Sequence, residues 1–252
     1  MAGKIIENKC SLSALTCPEV PCFIRVMNEA LHVVEDPIGA DEAGHRWRPD
    51  LDPAALPPTP RHSAGQRRIM RASLLHFASR GYGGSNLRDI AATLGIQAGS
   101  VYKHFPSKDA ILEALITLGY DVHQSTVTAA ALAAESTPRA QLTAFMRAHV
   151  GLHCAYPRLG AVVHHEWWHL APNVMDGVER QIAQTNGVLL GILRRGADAG
   201  IFTIDDPDLT LVAVTGLGMS AALWFPWQTE VSAEQMIGRF TQAALDICRY
   251  QA

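Results

Sequence analysis

The chain has 252 residues, 48% of them hydrophobic, and a formal net charge of -3. Enough apolar material is present for a sizeable core, which excludes a wholly disordered chain, and the overall charge gives no sign of a nucleic-acid partner. The five cysteines are odd in number, and no uninterrupted apolar segment follows a basic start, so neither a disulfide framework nor a secretory signal is expected; reduced thiols in the cytoplasm are.

Residues 1–60 contain Pro37, Pro49, Pro53, Pro57, Pro58 and Pro60, mixed charge and no sustained periodicity, and read as a flexible N-terminal extension. Within them Phe23, Met27, Leu31 and Val34 could line one face of a short helix, which is marginal without a partner surface. Cys10, Cys17 and Cys22 lack the close pair that a metal knuckle needs.

Residues 61–106 carry the strongest signal. Leu87, Ile90, Ala91 and Leu94 fall at helical spacing, with Asn86 as cap and Asp89 at the third helical position. Gly95 follows, where a left-handed turn suits glycine, and Ile96 anchors the turn. A second helix is predicted over Ala98 to Phe105, with Val101 and Phe105 inward and Ser100, Lys103 and His104 outward. Two helices and a glycine turn with a small, polar outer face make a helix-turn-helix suited to a DNA groove. Charge agrees: residues 61–112 hold eight Lys and Arg against two Asp, a net of +6, while 1–60 carry -4 and 113–252 carry -5.

The run from Arg67 to Lys108 resembles the DNA-binding domain of the TetR family of transcriptional regulators. The matching positions are Ile69, Ala72, Phe77, Gly81-Tyr82, Ile90-Ala91, Gly95-Ile96, Gly99 through Phe105, and Ser107-Lys108. That resemblance implies an all-α homodimer bound to a double-stranded, pseudo-palindromic DNA operator and released from it by a small-molecule effector. It also implies roles by position. Arg88 would hold a guanine edge or a phosphate, and Gln97, Ala98 and Ser100 would face base edges. Tyr102, His104 and Lys108 would clamp phosphates, and Lys103 could do either. Gln97 departs from the family, which has a small capping residue there, so the reading helix should start without a side-chain cap.

Residues 107–252 are helical almost throughout, and form the larger effector-binding and dimerisation domain. Ile111, Leu115, Leu118 and Val122 make one stripe, and Thr137-Pro138, Pro157, Pro172 and Asp206-Pro207 mark further starts. Ser232 and Gln235 form a capping box. The stretch 209–229 lacks charge, yet its Thr, Gly, Ser and Pro residues favour a buried helix over a membrane span. The resemblance places the last two helices in a four-helix dimer interface, where Gly216 and Ser220 would permit close approach.

His165-Glu166-Trp167-Trp168-His169 fits H-E-x-x-H, in which two histidines one helical turn apart bind zinc and the glutamate activates water. A zinc-dependent hydrolase is therefore the alternative from another class, with Glu179 as third ligand. A metal-responsive regulator using His164, His165 and His169 with His153 or Cys154 is another. The extended motif fails at Pro172 and Met175, and the favoured reading is a non-enzyme without cofactor or metal. The aromatic cluster suggests the effector pocket instead, with Trp167, Trp168, His165, His169 and Trp224 as candidate lining. A similarity of Gly200-Ile201-Phe202 and Trp224-Phe225-Pro226 to regulators of lipid catabolism points to an apolar or acyl-CoA-like effector.

Overall fold

Every helix described but the short α3 begins where a side chain or a proline can deal with the free amides of the first turn. The computed structural model describes residues 47–228 and 230–249, and among these it contains nine α-helices and no strand. Ser63 and Gln66 form a capping box for α1 (Ala64–Arg80), and Asn86 caps α2 (Leu87–Thr93). The short α3 is Ala98–Val101, and Ser107 caps α4 (Lys108–Ala133). Thr137 with Pro138 starts α5 (Pro138–Ala155), Pro157 starts α6 (Pro157–Glu166), and Pro172 starts α7 (Pro172–Asp198). Asp206 with Pro207 starts α8 (Pro207–Trp224), and a second capping box, Ser232 with Gln235, starts α9 (Ala233–Ile247).

Helices α1 to α3 form the head. Its core is built from Ile69, Met70, Leu74 and Phe77 of α1, Ile90 and Ala91 of α2, and Val101 and Phe105, with Ile111, Leu112 and Leu115 of α4 completing it. Thus α4 belongs to both parts, starting in the head and running into the body. In the body, α5 is central: Leu142, Phe145, Met146 and Val150 meet Leu189, Ile192 and Leu193 of α7, Val214 and Ala221 of α8, and Met236, Ala244 and Leu245 of α9. These side chains are nearly all fully buried, and burial on this scale supplies the main driving force.

Gly81, Gly95 and Gly200 have positive φ, and the last two end a helix by the same pair of bonds. At Gly95 (φ 65°) the amide of Ile96 bonds to Ala91 O and that of Gly95 to Ala92 O, ending α2 so that the chain can turn into α3. At Gly200 (φ 67°) the same pattern runs from Ile201 to Gly196 O and from Gly200 to Ala197 O, and Phe202 folds back over α7. A Cβ at Gly196 would lie 2.0 Å from the ring of Phe202, itself 3% exposed. Gly196→Ala should therefore cost about 2 kcal/mol through overpacking. Thermal unfolding should show a Tm lower by about 4–8 °C; an unchanged Tm would mean that the ring moves aside freely.

Two sequence expectations are corrected. The second helix of the reader ends at Val101 rather than running to Phe105. Pro106 disfavours helical backbone at the residue before it, and the amides of His104 and Phe105 both close turns on Val101 O. The second correction concerns residues 47–60, which are not a flexible extension. Trp47 meets Trp227 edge to face at 5.5 Å, Arg48 is 8% exposed, and Ala54, Leu56 and Pro57 are buried. Their partners lie far along the chain, where local periodicity cannot report them. The proposed helix face at Phe23 to Val34 and the three early cysteines lie outside the described residues.

Candidate nucleic-acid interface

Helix α3 presents its polar side to solvent. Gln97, Arg88, Lys103 and His104 are exposed, Ala98 and Ser100 partly so, and Tyr102 is 56% exposed although it is a large aromatic. Val101 and Phe105 are buried beneath them, so the outward face of α3 is fixed by two apolar anchors on its inner side. Gln97 makes no side-chain cap bond, as its amide side chain led one to expect, and is left free to reach outward. Arg68 of α1 donates to Leu94 O at 2.8 Å and so holds the end of α2, while the His104 ring lies against α1 at Gly65.

Lys108 is placed differently from the other basic groups. Its ammonium donates to Tyr82 O (2.7 Å) and Ser85 O (2.8 Å) and sits 4.0 Å from the centroid of the Tyr82 ring. It therefore holds the loop between α1 and α2 against the start of α4, and two of its three donors are spent there.

Tyr82 is the hub of this region. Its ring packs on Phe77 and on His169 (centroids 5.4 and 4.9 Å), its hydroxyl donates to the Asp109 carboxylate, and its amide donates to Glu166 Oε1 at 3.0 Å. Burial, with the Asp109 carboxylate beside it, pushes the phenol well above its ordinary range. Glu166, at the end of α6, also lies 3.4 Å from Nε2 of His169. A carboxylate of the body is thus bonded directly to the backbone of the head.

This arrangement does not support the hydrolase reading. Helix α6 stops at Glu166 and the chain passes into a 3₁₀ turn, Trp167–His169, so His165 and His169 do not share one helical face. Glu166 is occupied by Tyr82 and His169 rather than facing a metal-bound water. The alternative metal set is only partly brought together: the His153 and His164 rings lie 5.3 Å apart, whereas His169 packs on Tyr82.

The effector-pocket candidates are scattered. Trp167 is buried at 4% exposure, His165 and Trp168 are partly buried, and His169 belongs to the joint with Tyr82. Trp224 is 59% exposed at the end of α8 and faces away from the interior. Among the buried polar atoms without a hydrogen-bond partner are Nε2 of His153 in α5 and Nε1 of Trp167, both residues named from the sequence, and the Tyr120 hydroxyl of α4, which sequence reasoning missed. Such groups are costly in a closed core and suit an interior that receives a ligand. Sequence reasoning also missed His149, whose signal was its spacing of four from His153 on α5.

Comparison with known proteins agrees with this architecture. Residues 69–115 match the model for bacterial regulatory proteins of the tetR family, and residues 135–248 match that of the tetracyclin repressor-like C-terminal domain. Two transcriptional repressors called KstR2 are similar in sequence. That of Rhodococcus jostii is 25% identical over 175 residues, 68% of this chain and 84% of its own. That of Mycolicibacterium smegmatis is 38% identical over 61 residues, 24% of this chain and only 30% of its own. A tetR-family regulatory protein from Rhodococcus RHA1 superposes with a TM-score of 0.69 at 28% identity, covering 75% of this chain and all of that one. AibR, solved with isovaleryl coenzyme A and operator DNA, shares the fold at a TM-score of 0.64 and 19% identity, covering 71% of this chain and 97% of its own. The chain belongs to the TetR family of ligand-responsive, DNA-binding transcriptional regulators.

Proposed function

We propose that the chain is a repressor that grips a pseudo-palindromic operator as a homodimer through α3 and leaves it when an apolar, acyl-CoA-like effector enters the body. One observation carries the reading: the exposed, polar and basic segment from Gln97 to His104, which includes α3, is seated by buried Val101 and Phe105 in the one section of the chain with strong positive charge. Arg88, Gln97, Ala98 and Ser100 are assigned to base edges or nearby phosphates, and Tyr102, Lys103 and His104 to the backbone. The operator itself requires a cytoplasmic location.

Two heads need a dimer, and α8 supplies a surface for one. With the turn after it, Pro207–Trp227, it is long and apolar enough by composition to cross a membrane, yet 44% of that apolar stretch is buried within the chain. The rest includes exposed Leu209 and Trp224 and the half-buried Gly216 and Ser220, a face suited to a second copy. For the effector, AibR gives a precedent in an acyl-CoA, and the unpartnered Tyr120 and Trp167 atoms offer polar contacts. The effector can drive release only by binding the DNA-free arrangement more tightly.

Selection from a random DNA pool, with a variant lacking residues 64–105 as control, should enrich an inverted repeat in a head-dependent way. Within that repeat, Tyr102→Ala should weaken binding uniformly with the salt slope unchanged, because a neutral phenol releases no counterion, whereas Gln97→Ala or Ser100→Ala should change base preference by about 1–3 kcal/mol. Interchanged effects would reverse the division between clamps and readers. Calorimetry in which acyl-CoA compounds give no heat and a small polar ligand does would sink the effector class.

A further inference from the structure

Inside the body, away from α3, three imidazoles converge from two helices. His123 lies on α4 and His149 and His153 on α5, and one ring nitrogen of each is within 4.8 Å of the others. None belongs to the H-E-x-x-H sequence.

The hydrogen bonds assign the protons. Nε2 of His149 lies 3.1 Å from Thr215 O, and because a carbonyl only accepts, Nε2 carries the hydrogen and Nδ1 keeps a lone pair. That lone pair faces Nε2 of His123 at 2.7 Å, which therefore donates to it. An imidazole whose outer N–H is held by a backbone carbonyl has its other nitrogen aimed and made more basic, the arrangement that orients metal-bound histidine. His153 is 5% exposed and its Nε2 has no partner, so the cluster contains a buried ring nitrogen that nothing in the chain satisfies.

Neighbouring helices make room for these rings. A Cβ at Gly218 of α8 would lie 2.1 Å from Cδ2 of His149, and one at Gly160 of α6 would lie 2.8 Å from Nδ1 of His153. Space that alanine would occupy is given to imidazole. Burial holds all three below their ordinary range, His149 to about 4, and neighbouring imidazoles, His164 of α6 among them, add to the effect at His123 and His153. At neutral pH they are uncharged, the form a metal ion binds.

We propose that His123, His149 and His153 form a binding site for one divalent transition-metal ion, with zinc the preferred occupant. Three neutral imidazoles suit zinc, nickel or copper and are poor ligands for magnesium or calcium. With zinc–nitrogen bonds of about 2.0–2.1 Å, tetrahedral ligands stand about 3.3 Å apart. The His123–His149 pair must open slightly from its hydrogen-bonded 2.7 Å. The proton on Nε2 of His123 moves to its own Nδ1, so all three bind as neutral ligands and no net proton is released. Three protein ligands leave the fourth position for water or for a donor atom of the effector. Since His123 lies on α4, the ion would tie the helix that begins at the reader to the centre of the body.

The test is titration of the untagged, metal-stripped full chain with Zn²⁺ by calorimetry and with Co²⁺ by visible absorption, which reports tetrahedral coordination. One equivalent should bind. His153→Phe, which keeps a buried ring and removes the nitrogens, should weaken binding at least about tenfold, and His169→Ala should leave it unchanged. Should His153→Phe fail to fold, His123→Gln should show the same loss. Absence of stoichiometric binding by the folded wild-type chain would overturn the site, as would unchanged affinity in the folded variants. Loss in His169→Ala with retention in His153→Phe or His123→Gln would also overturn it, placing the ion beside Glu166. The readout needs no DNA, so its outcome is separate from that of the operator selection.

Discussion

Lys108→Met should lower the stability of the protein by about 2–3 kcal/mol and leave the salt dependence of DNA binding unchanged. Methionine keeps most of the apolar stem but leaves Tyr82 O and Ser85 O without their donor and removes the charge from the Tyr82 ring. Hydrogen bonds to a charged group are each worth about 1.5–3 kcal/mol, and part is recovered here because Lys108 is only half-buried and water can replace it. A loss of that size corresponds to a fall in Tm of about 4–12 °C. DNA affinity should fall because the α1–α2 loop loosens, with the same slope against salt. The phosphate-clamp role implied by the family resemblance makes the opposite forecast: stability preserved and the slope smaller by about 1. Urea unfolding and DNA titration at three salt concentrations distinguish the two.

Arg48→Ala should cost about 3 kcal/mol, lowering Tm by about 6–12 °C. The guanidinium donates to Gln228 O at 2.7 Å and to Val231 O, pairs with both oxygens of Asp50, and covers the Phe225 ring at 4.5 Å. Truncation leaves two carbonyls between α8 and α9 without a donor and uncovers the aromatic ring. Arg48→Lys should recover only part of the loss, because an ammonium cannot span Asp50 and the carbonyls as a planar fork does. A wild-type Tm in Arg48→Ala would show that residues 47–60 lie on the body without stabilising it.

Much of the fold was legible because helix starts are local. Thr137-Pro138, Asp206-Pro207 and the Ser232–Gln235 box each need only adjacent residues, and each begins a helix in the structure. The turn at Gly95 was legible for the same reason. The histidines show where local reading ends. His149 and His153, like His165 and His169, are four apart, but the first pair lies within α5 and the second spans the end of α6. Identical spacing brings one pair together with His123 and sends the other to the joint with Tyr82. Likewise, nothing near Arg48 in sequence announces carbonyls 180 residues away. The reader residues are assigned through the resemblance, whereas the use made of Lys108 depends on Tyr82 and Ser85, which only the folded loop brings to it.

The head is fastened to the body by more than the peptide chain leaving it. Ahead of α1, Arg67 donates to Leu56 O and Pro57 O and Arg71 pairs with Asp52. Behind α3 the chain continues without a break into α4, and at the α1–α2 loop Glu166 holds the Tyr82 amide. A solid body pinned at one point turns about any axis, one pinned at two turns only about the line between them, and a third pin takes away that freedom when it lies off the line. Reorienting the reading helix as a unit therefore means unfastening one of these three. At the Glu166 attachment the carboxylate on the Tyr82 amide acts together with the packing of the Tyr82 ring on His169, and were that joint to open, the remaining two would define the axis about which the head could swing.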